Sequence, residues 1–475
     1  MNDKQRFNNN YLPDLQILPI EIWQLILSKV EFQAQIRLRL VSTLFYQNLE
    51  IHDFYNINSE YLKILDDQIL ATYPFIMQLD ASLNPKIKNI KHMTKLQTLS
   101  ASHYSGIDDM AIKSLNLIEL YAYGNSKITN INHMTKLQIL NAGFHCGIDD
   151  NGINQLNLIE LHAHQNQKIT NINHMTKLQI LDAGYDCGID DNGLNQLNLI
   201  ELDAESNEKI TNINHMTQLQ ILNASFHAGI GDNGINQLNL IKLDAYDNPK
   251  IKNINHMTQL QILNAGEKCG IDDNGINQLN LIELRAYDNP KIKNINHMTQ
   301  LQKLDAGYQC GIDDNGINQL NLIELDANDN PKIKNINYMT SLQKLDASYY
   351  SGIDDNGITQ LNLIELNVTD NHKITNINYM TKLQKLHAGQ NCGIDDKSIT
   401  KLNLIELSAN NNHKITNVNH MTNLQKLNAR LNCGIDDSGI SQLNLIELDT
   451  LYNPKITKIN HMKKLKIQYY MEFRN

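Results

Sequence analysis

The sequence lacks any apolar run near the roughly 20 residues that a membrane-spanning helix needs, so no transmembrane helix is expected. It also lacks an excess of basic residues, because 41 Lys and Arg stand against 51 Asp and Glu, giving a net charge of −10 at pH 7. That balance argues against a nucleic-acid partner held through its phosphates. The segment from Met1 to Asp14 lacks the apolar core and cleavage site of a secretory signal, so the chain is expected to stay in a reducing compartment.

What the sequence does contain is a period of 41 residues. The dipeptide His-Met or Tyr-Met starts at residues 92, 133, 174, 215, 256, 297, 338, 379, 420 and 461. Each copy divides into a long unit of 21 residues, as in Leu137 to Asn157, and a short unit of 20 residues, as in Leu158 to Lys177. Both units begin with the pattern L-x-x-L-x-A. Such a period predicts a continuous stack of similar coils.

The L-x-x-L-x-A pattern predicts a strand in every unit. Alternate side chains of a strand face opposite sides, so Leu161 and Ala163 are expected to point into the coil. Glu160, His162 and His164 then point to the open face, which is the face of the sheet turned away from the apolar interior. Parallel strands of successive units are expected to form one long sheet.

An asparagine follows each short-unit strand and is predicted to satisfy buried backbone groups where the coil turns. These asparagines are Asn84, Asn125, Asn166, Asn207, Asn248, Asn289, Asn330, Asn371, Asn412 and Asn453.

The return path is expected to differ between the two kinds of unit. In the short unit the apolar residues Ile169, Ile172 and Met175 are spaced by three, which favours a 3₁₀-like or extended segment over an α-helix. In the long unit Asp149 or Asp150 precedes an apolar pair, which predicts a short helix capped at its N-terminus.

Both units resemble leucine-rich repeats. The long unit is similar to the cysteine-containing repeats found behind F-boxes, and it matches their pattern at Ile148, Asp150, Gly152 and Ile153, while Cys146 sits one residue late. The short unit is similar to internalin-type repeats. The resemblance implies an α/β fold: a leucine-rich-repeat solenoid of about 19 units over residues 76–464, with one long parallel β-sheet. Residues 465–475 are expected to form a C-terminal cap.

The cysteines occupy one register of the repeat, at Cys146, Cys187, Cys269, Cys310, Cys392 and Cys433. Neighbouring cysteines are two strands apart, roughly 10 Å at about 4.8 Å per strand, which is too far for a disulfide. A line of thiols cannot bind zinc tetrahedrally either. We therefore expect small, packed, free thiols.

Other recurring polar residues also have structural explanations. Aspartate pairs such as Asp149-Asp150 could serve as general acid and base or as calcium ligands, but they recur in copy after copy and Gly231 replaces the first one in one copy. Helix capping explains them better. The His-Met dipeptides are expected to pack on the convex side, since tyrosine replaces the histidine twice. No Ser-His-Asp, Cys-His, Walker or GxGxxG arrangement stands out, so we expect no enzyme, no cofactor and no metal site.

Residues 18–49 do not fit the period and predict helices instead. Ile22, Leu25, Ile26 and Val30 have the spacing of one helix face, and a second stripe runs from Val41 through Leu44, Phe45 and Leu49. Pro19 suits the start of the first helix. Residues 1–17 are expected to be a disordered tail, and residues 50–75 a linker with a degenerate capping repeat.

This helical segment resembles an F-box, with Leu18-Pro19-x-Glu21-Ile22, Ile26-Leu27, Val30, Leu38-x-Leu40-Val41 and Phe45 in the expected order. F-boxes dock on the Skp-type adaptor of cullin–RING ubiquitin ligases, so the resemblance implies that partner and a cytoplasmic or nuclear location in a eukaryotic or eukaryotic-host cell. The alternative is a helical cap that only shields the first strand. The residues carried over as adaptor-binding or as F-box core are Leu18, Pro19, Ile22, Ile26, Leu27, Val30, Leu40 and Val41.

The open face is expected to bind a protein partner where it alternates Ile with Glu and carries aromatic residues at the positions that follow. In the C-terminal half Lys replaces Ile, so neighbouring strands carry Lys and Glu and form a solvated face. Aromatic side chains on a rigid scaffold make good anchors. The predicted partner-binding residues are Tyr121, Tyr123, Ile139, Phe144, Ile180, Tyr185, Ile221, Phe226, Tyr246, Ile262 and Tyr287.

The sequence therefore predicts a substrate receptor of a cullin–RING ubiquitin ligase that binds a target protein, neither nucleic acid nor membrane, and is a monomer outside the complex. The alternatives are a leucine-rich-repeat scaffold or decoy whose N-terminal cap docks on nothing, and a secreted internalin-like effector, which the missing signal sequence disfavours.

Overall fold

The computed structural model describes residues 18–55 and 57–469. The chain forms two compact units that divide in the sequence between Leu199 and Ile200, called the N-terminal unit and the C-terminal unit below. Among the described residues, no helix has the length and apolar character that crossing a membrane requires.

The N-terminal unit begins with short helices. Trp23 and Phe45 pack with ring centroids 4.9 Å apart, and Leu27, Phe45 and Leu49 are buried, so these residues form the small core of the helical segment. The predicted first helix face is wrong as a buried face, because Ile22 and Leu25 are exposed and Ile26 and Val30 are only half-buried. The buried residue of α1 is Leu27, which lies outside that face. The helices are α1 (Ile20–Leu27), α2 (Phe32–Arg39), α3 (Thr43–Asn48), α4 (Ser59–Ile64) and α5 (Asp67–Leu70).

The N-terminal unit then forms a sheet of short parallel strands. Each strand of a repeat has three residues, of which the middle leucine is buried, as Leu140 and Leu161 are, while the outer two turn towards the open face. The strands are β1 (Asp53–Phe54), β2 (Gln78–Asp80), β3 (Thr98–Ser100), β4 (Glu119–Tyr121), β5 (Ile139–Asn141), β6 (Glu160–His162) and β7 (Ile180–Asp182).

The C-terminal unit repeats this arrangement in a parallel sheet of its own strands. These are β8 (Glu201–Asp203), β9 (Ile221–Asn223), β10 (Lys242–Asp244), β11 (Ile262–Asn264), β12 (Glu283–Arg285), β13 (Lys303–Asp305), β14 (Glu324–Asp326), β15 (Lys344–Asp346), β16 (Glu365–Asn367), β17 (Lys385–His387), β18 (Glu406–Ser408), β19 (Lys426–Asn428), β20 (Glu447–Asp449) and β21 (Ile467–Tyr469).

Neighbouring strands pair without any shift in register. In β5 and β6, for example, Ile139 stands beside Glu160 and Leu140 beside Leu161. Each outward residue therefore lies next to the same position of the following strand, and the leucines form a continuous buried row. This arrangement confirms the predicted leucine-rich-repeat fold.

Each long unit returns through a short helix, as predicted. In the example the Asp149 carboxylate accepts a hydrogen bond from the Gly152 backbone N–H at 2.9 Å, which satisfies a donor at the helix N-terminus. The α-helices are α6 (Asp109–Ile112), α7 (Asp150–Ile153), α8 (Asp191–Leu194), α9 (Asp232–Ile235), α10 (Asp273–Ile276) and α11 (Asp314–Ile317). The last three long units have 3₁₀ turns instead, at Asp355–Gly357, Asp396–Ile399 and Ser438–Ile440.

The short units return through turns without a helix, with Ile169, Ile172 and Met175 buried as their spacing predicts. The asparagine at the end of the strand acts as expected. Asn166 Nδ2 donates to the carbonyl oxygens of Ala142 at 2.7 Å and Ile148 at 3.1 Å. Its side chain thus satisfies backbone groups of the preceding long unit that would otherwise be buried without partners.

Candidate functional site

The helices α1 to α3 expose apolar side chains on their surface. These side chains are between 39% and 57% exposed, although each is large enough to be favoured in a core. We call this surface the helical patch, and it consists of Leu18, Ile22, Leu25, Leu40, Val41, Leu44 and Tyr46. Exposed apolar groups concentrated on one small helical domain indicate a contact surface.

The structure divides the predicted adaptor-binding residues into three groups. Leu18, Pro19, Ile22, Leu40 and Val41 are exposed, Ile26 and Val30 are half-buried, and Leu27 is 1% exposed. Leu27 therefore packs in the core of the helical segment and is not available for docking.

Sequence reasoning missed three members of the helical patch, Leu25, Leu44 and Tyr46. Leu25 and Leu44 belonged to the predicted apolar helix stripes, but α1 and α3 are too short to bury a whole stripe, so these side chains remain outside. The i, i+3 spacing with Ile22 was the signal that could have assigned Leu25 to the patch.

Polar contacts hold the helical segment against the first strand. Gln24 Nε2 donates to the Glu50 carbonyl at 2.7 Å, and the Glu50 N–H donates to Gln24 Oε1 at 2.8 Å. The guanidinium of Arg39 lies over the rings of Tyr46 and Tyr73, at 5.2 and 5.4 Å from their centroids. These contacts fix the helices before β1, so the helical patch is presented on a packed support.

The predicted partner-binding residues fall in both units. Tyr121, Tyr123, Ile139, Phe144, Ile180 and Tyr185 belong to the N-terminal unit, whereas Ile221, Phe226, Tyr246, Ile262 and Tyr287 belong to the C-terminal unit. Within each unit the isoleucines lie on the open face and are half-buried between flanking side chains.

Of the predicted aromatic residues only Tyr121 stands in a strand, which corrects the expectation. Tyr123, Tyr246 and Tyr287 lie in the turn after a strand. Phe144, Tyr185 and Phe226 also follow a strand, with positive φ values of 49°, 52° and 55°, and are 37% to 44% exposed. Each of these three follows a glycine or serine that comes two residues after the end of the strand, so the aromatic side chains lie at the edge where the strands end.

Aromatic rings pack together at this edge of the N-terminal unit. The rings of Tyr123 and Phe144 are stacked, with centroids 5.3 Å apart and planes 11° from parallel. His103 packs against the Tyr123 ring at 5.0 Å and His164 at 5.4 Å. Rings that pack on one another lose little freedom when a partner binds, so they form a preorganised platform.

Two histidines and two carboxylates meet next to this platform. His162 Nε2 lies 2.6 Å from Glu160 Oε1, and His164 Nδ1 lies 2.7 Å from Asp182 Oδ2. The hydrogen bond that His162 donates to the Asp182 carboxylate raises the pKa of His162, and a second one to Glu160 adds to that rise. The pKa of the Asp182 carboxyl is held below its usual value by hydrogen bonds from both histidines, which outweigh its burial.

The open face of the C-terminal unit has a different chemistry. Lys303, Lys344 and Lys426 lie 3.6 to 3.8 Å from the glutamates of the next strands, which confirms the predicted Lys–Glu pairing for these strands. Exposed pairs of this kind contribute at most about 1 kcal/mol each. The lysines neutralise the charge of the neighbouring glutamates, so this part of the open face is a solvated surface of ion pairs.

Three carboxylates stand side by side in the middle of that unit. Asp305, Asp326 and Asp346 occupy the same position of β13, β14 and β15. Burial and the neighbouring carboxylates raise the pKa of Asp326 to about 6. Among the residues that the structure describes, no group of three or more histidine, cysteine or acidic side chains is arranged to hold a metal ion.

The six cysteines are buried and form no disulfide with one another, as expected from their register. Burial raises the pKa of the Cys146 thiol to about 11 and that of Cys269 to about 12. Protonated thiols shielded from solvent are poor nucleophiles and poor metal ligands, so these residues act as small packing groups.

Comparison with known proteins gives a family match for the N-terminal segment. Residues 15–56 match the F-box domain. No curated protein matches the sequence. The match covers the helices α1 to α3 and the strand β1, and it therefore includes every residue of the helical patch.

Solved structures similar to the chain are repeat proteins of low sequence identity. The TLR13–ssRNA13 complex is 16% identical with a TM-score of 0.42, covering 84% of this chain and 71% of that one. The functional domain of InlJ from Listeria monocytogenes, which includes a cysteine ladder, is 18% identical with a TM-score of 0.31 (82% and 71% covered). An internalin, InlF, from Listeria monocytogenes is 16% identical with a TM-score of 0.18 (84% and 87% covered).

The geometry of the repeats identifies the chain after the F-box match as a series of leucine-rich repeats. It has the 41-residue period, the buried leucine rows of parallel strands and the asparagines bonded to backbone carbonyls. Domains of these two kinds are typical of proteins that bind other proteins. The chain thus combines a segment that matches the F-box domain with a series of leucine-rich repeats.

Proposed function

We propose that this protein is a substrate receptor of a cullin–RING ubiquitin ligase. The helical patch docks on the Skp-type adaptor, and the open face of the repeats binds the target protein. The observation that carries the proposal is the exposed apolar surface on the F-box helices, which have a small core of their own and still leave seven large side chains outside. Burying about 25 cal/mol per Å² of such surface would drive docking.

On this proposal the protein carries out no bond chemistry itself. It holds a target near a ubiquitin-loaded enzyme bound elsewhere in the assembly, and it raises the rate by effective concentration. It would act in the cytoplasm or the nucleus as a monomer outside the complex, with its buried thiols reduced.

The second candidate is a scaffold or decoy in which α1 to α3 only cap the repeats. The packing of Phe32 against Phe54 of β1, with ring centroids 5.1 Å apart, favours it, as do the bonds from Gln24 to Glu50 just before that strand. Capping explains the buried residues of the helices, whereas the exposed side chains of the helical patch have no role in a cap.

The test is co-purification of the full chain with a Skp-type adaptor. Leu18→Asp and Leu40→Asp place a charge on the helical patch, and each is expected to weaken binding by more than about tenfold, because an unpaired carboxylate would be buried at the interface. Both side chains are exposed, so folding should be retained and is checked by circular dichroism.

The matched control is Ile64→Asp. Ile64 is 59% exposed on α4, outside the F-box match, and the same substitution there should leave adaptor binding unchanged. Binding of the two patch variants at the wild-type level, or no binding by the wild-type chain, would reject the proposal in favour of the capping role.

A further inference from the structure

The open face of the N-terminal unit carries carboxylates without permanent cations. Its outward positions on β2 to β7 include Asp80, Glu119, Glu160 and Asp182, and none of the outward positions of these strands is lysine or arginine. Only histidines lie among the carboxylates. This stretch of the sheet is therefore an anionic surface at neutral pH.

The same positions are charge-compensated in the later strands of the C-terminal unit, from β13 onwards. There Lys303 lies 3.8 Å from Glu324, and Lys344 lies 3.8 Å from Glu365. In the N-terminal unit the residues that correspond to these lysines are Ile139 and Ile180. The glutamates next to these isoleucines therefore have no lysine or arginine beside them at this position. The isoleucines also add apolar surface between the glutamates.

Aromatic groups border the anionic surface. The stacked rings of Tyr123 and Phe144 form the platform at the ends of the strands, and Phe144 is 40% exposed. The Tyr121 hydroxyl lies 3.3 Å from Glu119 Oε2, and burial together with Glu119 raises the pKa of Tyr121 to about 12, as expected beside negative charge. Carboxylates next to exposed rings suit a guanidinium, which pairs with the former and stacks on the latter.

We propose that the open face of the N-terminal unit binds an extended, arginine- or lysine-rich segment of the target protein, with Glu119 and Glu160 pairing with its cations and the Tyr123–Phe144 platform stacking on them. Glu119 and Glu160 are two strands apart, which is about 10 Å at the usual strand spacing. An extended chain in the polyproline II conformation repeats every three residues at about 9 Å, so cations three residues apart match the two glutamates. Phosphate-bearing partners would be repelled by the same surface.

This inference rests on the proposed function in one respect: the basic segment would belong to the ligase target. The binding step itself is independent of the F-box and can be measured on the full chain without adaptor. The probe is a fluorescein-labelled peptide with arginine at every third position and Gly-Ser between, compared with the same peptide carrying glutamate in place of arginine and with a labelled single-stranded RNA.

The variant Glu119→Gln/Glu160→Gln removes the charge and keeps the shape. It is expected to weaken binding of the arginine peptide by about tenfold or more in fluorescence anisotropy, since two charge pairings at partly exposed sites are lost together. Phe144→Ala should weaken it by about threefold through loss of stacking. The matched control Glu324→Gln/Glu365→Gln removes the same charge from the C-terminal unit and should change the affinity by less than about twofold.

Equal binding of the arginine and glutamate peptides, a preference for the RNA, or equal losses in the test and control variants would each overturn the inference. Adaptor co-purification and peptide binding, both measured on the wild-type chain, separate the two proposals. Adaptor binding without peptide binding rejects only this inference, whereas peptide binding without adaptor binding rejects only the ligase role.

Discussion

Two tyrosines occupy the position that histidine holds in the other copies of the repeat, and their hydroxyls have different surroundings. The Tyr379 hydroxyl donates to the Ile358 carbonyl at 2.9 Å, much as His133 Nε2 lies 3.1 Å from the Ile112 carbonyl. The Tyr338 hydroxyl is buried and has no hydrogen-bond partner among the described residues. Burial also raises the pKa of Tyr338.

Replacing each tyrosine by phenylalanine should have opposite effects on the free energy of unfolding. Tyr338→Phe removes an unsatisfied buried hydroxyl and is expected to stabilise the protein by up to about 1 kcal/mol. Tyr379→Phe leaves the Ile358 carbonyl without its donor and should cost about 1 kcal/mol. Urea unfolding of the two variants under identical conditions measures the difference, and equal changes in the midpoint would contradict the assignment.

Asp326 makes the stability depend on pH. Its pKa is raised to about 6 in the folded chain, mainly by burial and also by Asp305 and Asp346, so the folded state holds a proton that the unfolded state has released. Stability should therefore fall as pH rises from about 4 to about 6 and stay lower above that range. Asp326→Asn should raise the free energy of unfolding at pH 7 by on the order of 1 kcal/mol and flatten the decline.

The control for this substitution is Asp244→Asn. Asp244 holds the same strand position, but its neighbours on β9 and β11 are Asn223 and Asn264, and Asn264 Nδ2 donates to it at 3.0 Å. The control should give no gain in stability at pH 7. A similar gain from both variants would show that neighbouring carboxylates are not the cause.

The two aspartates that begin each long-unit helix have separate tasks. Asp149 caps its own helix through the Gly152 N–H. The Asp150 carboxylate reaches the next short unit, where it accepts hydrogen bonds from the Thr170 N–H at 2.7 Å, the Thr170 hydroxyl at 2.5 Å and the Asn171 N–H at 3.2 Å. The second aspartate thus ties a helix to the coil that follows it.

Asp150→Ala should therefore destabilise the protein by about 2 kcal/mol, since it removes three bonds to a charged acceptor. Asp150→Asn keeps an oxygen for the backbone donors and should cost about half as much. Thermal unfolding of both variants, followed by circular dichroism, gives the comparison. An equal cost for the two would mean that the carboxylate charge carries the whole effect and the shared oxygen none.

Strands, caps and asparagine bonds could be predicted from the sequence because each recurs at a fixed position of the repeat. Leu161 and Asn166 show it: alternation buries the first, and the turn after the strand orients the second. The burial of Leu27 and the turn position of Phe144 could not be predicted, because helix length and the neighbouring coils decide them.

For the candidate site, too, positions within a unit could be predicted from the sequence, whereas contacts between neighbouring units could not. The alternation of Ile with Glu could be placed on the open face, but the stacking of Tyr123 on Phe144 requires knowing how adjacent turns meet. A row of lysines was also missed: Lys291 Nζ, for example, donates to the Cys269 carbonyl at 2.9 Å. The sequence pattern that could have predicted this row is a lysine two residues after each asparagine that follows a short-unit strand, as Lys291 follows Asn289.

Stability in the whole C-terminal unit should follow the number of stacked coils, because each coil contacts mainly its neighbours. Deletion of residues 297–337 removes one complete 41-residue copy and joins Asn296 to Tyr338 in register. The shortened protein should fold, with a proportionally smaller dependence of unfolding free energy on urea, because less surface is exposed on unfolding.

Deletion of residues 297–326 is the control, since it joins positions of the repeat that do not correspond. This variant should lose cooperative unfolding or aggregate. Equivalent behaviour of the two deletions would show that register between copies does not determine folding, contrary to the paired strands and the bonds of Asp150.

The bond from Asp150 to Thr170 has a consequence for how such a protein can change over time. These bonds tie each helix-bearing long unit to the helix-free short unit after it. A duplication or deletion that preserves them must therefore add or remove one long and one short unit together. Unequal recombination between the near-identical copies would lengthen or shorten the sheet by two strands at a step, and so enlarge or reduce the recognition area while every surviving contact keeps its partner.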